Sequence, residues 1–184
     1  MKKPSIALFL LLAVFGSLQA QKHMTRNGHI WFFSHTPVED IEAHNYQSTS
    51  IIDAETGDMA FVVLMKGFQF EKALMQEHFN EKYVESDIYP KATFKGKITN
   101  LSDVNFEQDG SYPVTVAGIL NIHGVDQEVE ATGTIAIEEG NINAQSTFPI
   151  TLEAHEVQIP GMVRNKIAEV VNAHVDISYD PTGN

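Results

Sequence analysis

The fold is decided by residues 114–137, which read VTVAGILNIHGVDQEVEATGTIAI. Apolar residues and glycines occupy every second position on both sides of a predicted turn at Gly124-Val125-Asp126. They are Val114, Val116, Gly118, Leu120 and Ile122 before the turn, and Val129, Ala131, Gly133, Ile135 and Ile137 after it. Because successive side chains of a strand point to opposite faces, each segment has one apolar and one mostly polar face. The stretch therefore predicts a long antiparallel hairpin.

The strands of this hairpin are long, and the same period returns along the chain. A length of about eleven residues lies at the upper end of the usual range and is typical of a barrel or a deeply curved sheet. Further strands are predicted at residues 29–33, 38–43, 47–53, 59–65, 91–98, 142–152 and 171–179. Between Phe70 and Phe79 the apolar residues follow helical spacing, which predicts one short helix.

The N-terminus has the pattern of a secretory signal peptide. Lys2 and Lys3 precede an apolar run at residues 6–15, and the small-residue region that follows ends at Ala20. The run is too short to span a bilayer, and no later stretch is long and apolar enough to do so. We therefore predict a signal peptide at residues 1–20, cleavage after Ala20, and one domain at residues 21–184. The mature chain is expected to be soluble, without a transmembrane segment, and periplasmic or secreted.

The composition narrows the classes of partner and of chemistry. The chain has no cysteine, which excludes disulfides, thiolate metal sites and a cysteine nucleophile. The formal net charge is −12, and it becomes −14 when the two signal-peptide lysines are removed. A nucleic-acid partner is not expected, because binding to phosphates needs a basic patch.

Two segments resemble the YceI-like family of exported proteins. They are residues 74–98, LMQEHFNEKYVESDIYPKATFKGKI, and residues 118–125, GILNIHGV. The combination of Tyr-Pro-Lys-Ala-Thr-Phe with the later Ile-His-Gly-Val is distinctive, and the resemblance covers essentially the whole mature chain. It implies an all-β protein, an antiparallel eight-stranded lipocalin-like barrel, whose better-known members hold a polyisoprenoid or related lipid in an interior channel. It implies no catalytic residues.

The predicted ligand site is the interior of this barrel. Each buried CH₂ of a lipid tail contributes about 0.8 kcal/mol, so apolar lining is sufficient and no sharp sequence motif is needed. The predicted inward residues are Val114, Val116, Gly118, Leu120, Ile122, Val129, Ile135, Val171 and Val175, with Phe70, Leu74, Met75 and Phe79 on a helix near the barrel mouth. The same pattern would also arise from a solid core, and the sequence leaves both interpretations open. Inward glycines such as Gly118 and Gly133 favour the cavity slightly, because they leave room or mark a bend.

Charged and metal-binding residues give weaker signals. Lys91, Lys95 and Lys97 share one strand face, which the alternation assigns to solvent rather than to the head group of a ligand. The histidines lack the close, regular spacing of zinc sites; they are His23, His29, His35, His44, His78, His123, His155 and His174. We expect no metal, and no cofactor other than a bound isoprenoid or other lipid. His123, in the family's Ile-His-Gly-Val segment, is expected to form hydrogen bonds at the end of its hairpin.

Catalytic motifs are missing from the sequence. There is no Gly-x-Ser-x-Gly elbow, and the acidic pairs Glu85/Asp87 and Glu128/Glu130 fit a solvated surface. An enzyme is therefore not expected. Two functions remain, namely a carrier or store for a hydrophobic molecule such as an isoprenoid quinone or polyprenyl lipid, and a ligand-free barrel that acts as an envelope interaction module.

Overall fold

The computed structural model describes residues 22–179, and the predicted signal peptide lies outside this range. The strands in this range are β1 (Lys22–His35), β2 (Asp40–Asp53), β3 (Asp58–Leu64), β4 (Gln69–Phe70), β5 (Lys91–Ile98), β6 (Gly110–Ile122), β7 (Val125–Glu138), β8 (Asn141–Thr151) and β9 (Val170–Tyr179). Helix α1 (Ala73–His78) continues directly into a π-helical segment (Phe79–Tyr83). Short 3₁₀ turns occur at Met65–Gly67, Leu101–Asp103, Glu153–His155 and Gly161–Val163.

Eight of these strands close into a barrel. They pair in the order β1-β9-β8-β7-β6-β5-β3-β2, and β2 pairs back onto β1, with every pairing antiparallel. The two-residue strand β4 adds to the side of β2. The predicted fold, an eight-stranded antiparallel barrel with one short helix, is confirmed.

Strands β6 and β7 form the predicted hairpin, but its turn lies earlier than expected. Ile122 already pairs with Val125, so the two turn residues are His123 and Gly124 rather than Gly124-Val125-Asp126. Both turn residues have positive φ values, 55° and 77°. This is the geometry of the two-residue turns that suit the twist of a hairpin. The prediction missed the position because histidine is not among the usual residues for the first place of such a turn.

Strand β2 is continuous where two separate strands were predicted. Most of the predicted strand at 38–43 and all of that at 47–53 belong to Asp40–Asp53, and His44 and Asn45 between them stay paired with β1. Asn45 in this stretch is completely buried, and its side-chain amide donates a hydrogen bond of 2.8 Å to the Leu64 carbonyl. A buried polar side chain that has a hydrogen-bond partner can lie inside a barrel without interrupting the strand. The spacing of apolar residues could not indicate this, because it does not report hydrogen bonds to other strands.

The helical segment begins and ends later than the predicted range, Phe70 to Phe79. Phe70 belongs to β4, where it pairs with Ala43, and the regular α-helical part starts only at Ala73. After His78 the chain widens into the π-helical segment, which ends at Tyr83. The helical spacing was therefore correct from Ala73 to Phe79 and wrong at the N-terminal end of the range.

The two ends of the barrel differ in how they are filled. We call one the closed end. There the connection between β5 and β6 covers the barrel, and its side chains Leu101, Val104 and Phe106 pack on the buried core. That core contains Ile52, Met59, Ile98, Val114, Ile135, Ile137, Ile142, Ala144, Ile177 and Tyr179. We call the opposite end the mouth, which is bounded by the connections at residues 36–39, 65–90, 123–124 and 152–169.

Candidate functional site

Toward the mouth, the barrel encloses an apolar cavity of about 540 Å³. This volume lies within the roughly 300–1,000 Å³ of cavities that hold small-molecule ligands. Its wall comes from the inward faces of the strands, from α1 with the π-helical segment, and from the connection between β8 and β9. The cavity is therefore the candidate binding site in the described part of the chain.

The predicted ligand-site residues lie on this cavity wall, with one exception. Those that line it are Val114, Val116, Leu120, Ile122, Val129, Ile135, Val171, Val175, Phe70, Leu74, Met75 and Phe79. The exception is Gly118, which is not part of the wall. The structure gives the positions of these side chains. Their contact with a ligand stays a prediction.

Burial distinguishes a hollow region from a solid one along the same strands. Val116, Val129 and Val175 face the interior of the barrel, yet they are only partly buried because they border the cavity. Val114 and Ile135 are 6% and 1% exposed and form the cavity floor, where it meets the closed-end core. Leu120 and Val171, nearer the mouth, are also buried, so packed positions and cavity-lining positions both occur along these strands.

The glycines at the inward positions do not create the cavity. Gly118 pairs with Gly96, and a Cβ atom at Gly118 would collide with the Lys95 carbonyl and with the Gly96 backbone. The tip of the Phe94 ring covers the same spot. At Gly133, which does border the cavity, a Cβ atom would collide with the Gln145 carbonyl. These glycines allow neighbouring strands to approach closely, and the expectation that they leave room for a ligand was wrong.

Four phenylalanines form one side of the cavity beneath α1. The Phe32 ring lies 5.5 Å from Phe68 and 5.7 Å from Phe79, and Phe70 lies 5.1 Å from Phe79, measured between ring centroids. Most of these contacts are tilted or edge-on, which is a favourable geometry for aromatic pairs. Phe32 was not among the predicted site residues. Its neighbours Trp31 and Phe33, which point outward, are also aromatic, so the sequence shows no alternation between polar and apolar residues here.

The connection between β8 and β9 was also missed. Ile159, Val163 and Ile167 line the cavity from this irregular segment, and so does Lys166. Residues 158–168 contain no strand, so no two-residue period marks which side chains point inward. The segment contains scattered apolar residues, but without a regular spacing they do not predict which side chains face the cavity.

His123 joins the connections that surround the mouth. Its Nε2 atom lies 2.9 Å from a carboxylate oxygen of Glu85, and its Nδ1 atom lies 3.2 Å from the His155 carbonyl oxygen. The Tyr89 ring packs edge-on against it, 4.5 Å away between centroids. The bonds reach two other connections rather than its own hairpin, so His123 fixes the helical segment and the β8–β9 connection to the barrel.

His155 belongs to the same cluster and is 3% exposed. Its Nδ1 atom lies 3.3 Å from the Val125 carbonyl oxygen. Burial lowers the pKa of His155 from its ordinary value, although hydrogen bonds to backbone carbonyls act in the opposite direction. The fold therefore favours the neutral imidazole at this position.

Few charged side chains reach the cavity wall. In the described residues, the acidic and lysine side chains on it are Glu39, Lys72 and Lys166. The Lys72 ammonium donates a 2.9 Å hydrogen bond to the Glu39 carboxylate. This bond is the main cause of the lowered pKa of Glu39, and the charges of Lys72 and Lys166 act in the same direction. Lys91, Lys95 and Lys97 are exposed on the outer face of β5.

Several histidines lie outside the barrel rather than in the cavity. His29 stacks between Trp31 and Tyr46, and its Nε2 atom lies 3.0 Å from Nδ1 of His44. Within residues 22–179, no three histidine or acidic side chains come together in a group that could hold a metal ion. Over the same range, no helix combines the length and apolarity needed to cross a membrane.

A closed eight-stranded antiparallel barrel with an apolar cavity under a short helix defines the lipocalin-like class of fold. A family model described as the YceI-like domain matches residues 21–181. The chain belongs to this family, as the Tyr-Pro-Lys-Ala-Thr-Phe and Ile-His-Gly-Val segments indicated. No curated protein sequence matches the chain.

Solved structures share this fold at low sequence identity. A polyisoprenoid-binding domain from Saccharophagus degradans, implicated in plant cell wall breakdown, has a TM-score of 0.76 and 13% identity, with 88% of this chain and 99% of that domain covered. BcnA of Burkholderia cenocepacia has a TM-score of 0.69 and 16% identity, with coverage of 82% and 95%. A YceI protein of Campylobacter jejuni has a TM-score of 0.61 and 12% identity, with coverage of 79% and 88%. At these identities the likeness shows the fold alone.

Proposed function

We propose that the protein carries or stores a hydrophobic molecule in its barrel, such as an isoprenoid quinone, a polyprenyl lipid or a related lipid. The observation that carries the proposal is the cavity at the mouth, where inward apolar side chains are left uncovered by protein. A soluble fold rarely leaves so much apolar surface without a partner. An apolar chain is the occupant that this wall would stabilise.

The energetics support an occupant without strong polar contacts. Roughly ten buried carbons of a lipid tail would contribute on the order of 8 kcal/mol before the costs of ordering and immobilisation. The aromatic and methionine side chains around α1 can adapt to an irregular chain, because thioethers are flexible and polarisable. Met59, Met65 and Met75 all border the cavity. Membership of the YceI-like family, and a fold shared with a polyisoprenoid-binding domain, also support this class of ligand.

The proposal includes export and binding without catalysis. The pattern of residues 1–20 supports a signal peptide cut after Ala20, and therefore a periplasmic or secreted protein. Intact-mass measurement of the exported protein should give a chain that starts at Gln21, and retention of residues 1–20 would overturn this part. The scarcity of polar side chains on the cavity wall supports storage or transport of an unchanged ligand.

The test of the main proposal is extraction of the purified mature protein with organic solvent, followed by mass spectrometry. We expect a lipid in the extract. Val129→Trp places a large ring in the cavity and should remove most of that lipid, because the indole would occupy the ligand's volume. Glu130→Trp puts the same ring at the neighbouring exposed position on the outer face and should leave the lipid content unchanged.

Thermal unfolding of both variants completes this test. If Val129→Trp folds with a thermal midpoint close to that of the parent and lacks lipid, the loss is caused by filled volume. If the parent carries no lipid, and none of the hydrophobic molecules offered to it binds, the carrier proposal fails and a ligand-free interaction module remains. Equal lipid in Val129→Trp and in the parent would place the ligand outside the cavity.

A further inference from the structure

On the cavity wall, the balance of acidic and lysine side chains is opposite in sign to that of the whole protein. The chain has a formal net charge of −12. On the described cavity wall, however, Lys72 and Lys166 outnumber the single carboxylate, Glu39. A local excess of positive charge beside an apolar cavity is an electrostatic feature that an anion would recognise.

The two lysines differ in what they contact. Lys72 is paired with Glu39 at 2.9 Å. Lys166 forms no ion pair with any described residue. Its charge nevertheless contributes to lowering the pKa of Glu39. Of the two lysines that the structure describes on the cavity wall, Lys166 is therefore the one without an ion-pair partner.

The backbone around Lys166 is fixed by the fold. The Lys166 N–H donates a 2.9 Å hydrogen bond to the Val163 carbonyl. Two residues later, the Ala168 N–H donates a 2.9 Å hydrogen bond to the hydroxyl of Ser34, which is 1% exposed. Both bonds use main-chain groups on this segment, so a side-chain substitution at Lys166 leaves them in place. The lysine is held at the cavity by structure that does not depend on its charge.

We propose that the ligand is an anionic amphiphile, with its apolar chain in the cavity and its carboxylate or phosphate head group paired with Lys166 at the mouth. This inference rests on the proposed function and adds the chemistry of the head group. A long lysine stem lies along apolar surface while its ammonium stays at the water boundary. An anion at that boundary forms a charge-assisted hydrogen bond without full desolvation. Glu39 competes with the head group for the same cations.

The test compares ligands that have the same chain and different heads. Palmitate, hexadecyl phosphate and the neutral palmitamide are titrated below their micelle concentrations, at mildly alkaline pH, into mature protein stripped of lipid by a hydrophobic resin. Palmitate or hexadecyl phosphate should bind about fivefold to twentyfold more tightly than palmitamide. The better of the two anions identifies the head group as carboxylate or phosphate. The preference should shrink as salt is added, because the pair is at the protein surface.

Variants at the mouth separate charge from packing. Lys166→Met keeps an apolar stem of similar shape and should remove the preference for the anion, with the affinity for palmitamide unchanged. Lys166→Arg should retain the preference. Glu39→Gln should act in the opposite direction and tighten the binding of the anion, because a competing carboxylate is gone. Lys95→Met, on the outer face of β5, is the matched control and should change nothing.

The outcomes distinguish this inference from the function on which it rests. If palmitamide binds wild-type protein as tightly as the anions, the cavity holds hydrophobic ligands and the head-group inference is wrong. If Lys166→Met weakens all three ligands equally, the side chain acts by packing and the inference is also wrong. If none of the probes binds and the extracted parent carries no lipid either, the proposed function fails together with the inference.

Discussion

The closed end and the mouth of the barrel are made from the same eight strands with the same two-residue period, yet they are filled differently. The larger buried core fills the closed end, whereas the mouth combines a smaller buried cluster with a cavity. At the closed end, the β5–β6 connection places Leu101, Val104 and Phe106 against the buried core. At the mouth, α1 and the β8–β9 connection border the cavity without filling it. The two-residue period of a strand therefore sets the direction of a side chain. The connections at the barrel end determine whether that side chain contacts protein or borders a cavity.

The largest expected effect is a difference in stability between matched truncations at the two ends. Ile177→Ala removes a completely buried side chain in the closed-end core and should lower the free energy of unfolding by about 2 to 5 kcal/mol. Ile122→Ala removes a partly buried side chain that packs on the smaller cluster at the mouth and also borders the cavity, so it should cost less, about 1 to 2 kcal/mol in lipid-free protein. Chemical denaturation of both variants measures the difference. Equal costs would mean that the mouth is packed as tightly as the closed end.

A medium effect is expected from the buried hydroxyl pair at the closed end. The hydroxyl groups of Tyr179 and Ser50 lie 2.7 Å apart, and burial raises the pKa of Tyr179. Tyr179→Phe leaves the Ser50 hydroxyl buried without this partner and should cost about 1 to 3 kcal/mol. Adding Ser50→Ala to that variant should recover part of the loss, which a double-mutant cycle measures. An additive result would show that the pair contributes no coupling energy.

A smaller, pH-dependent effect is expected at the mouth from His155. Because burial lowers its pKa in the folded protein, the unfolded chain binds a proton more readily than the folded chain below the ordinary value of 6.5. The free energy of unfolding should therefore fall as the pH drops through 6.5 toward the lowered pKa. His155→Asn removes the titrating group and should show a smaller fall in thermal midpoint over this pH range than the parent. His23 and His29, whose pKa values are also lowered, are present in both proteins and cancel in the comparison.

The sequence predicted the strands more reliably than the site. Residues 114–137 were sufficient to predict the central hairpin and its apolar face, because strand direction follows from a local period. The same period made Gly118 look like an inward position with free space, since close approach to Gly96 on the neighbouring strand depends on tertiary pairing. The break predicted between residues 43 and 47 was wrong for the same reason, because the hydrogen-bond partner of Asn45, the Leu64 carbonyl, lies on another strand.

The mouth was the least predictable region. Lys166 and Ile167 lie in a segment without regular structure, so nothing in the local pattern placed them on the cavity wall. Tyr89 and His123 belong to the two segments that resemble the family. Their contact at the mouth is now visible, together with the bonds from His123 to Glu85 and His155. These contacts join residues that are far apart in the chain, which a local period cannot report.

The central claim is that the hollow at the mouth holds a lipid. Native mass spectrometry of the mature protein, purified without detergent from the cells that produce it, tests this claim most directly. The account predicts a complex of one protein chain with one lipid, and the loss of that additional mass in Val129→Trp but not in Glu130→Trp. A parent protein that has only the mass of its polypeptide, and that remains so after incubation with lipid vesicles, would contradict the account.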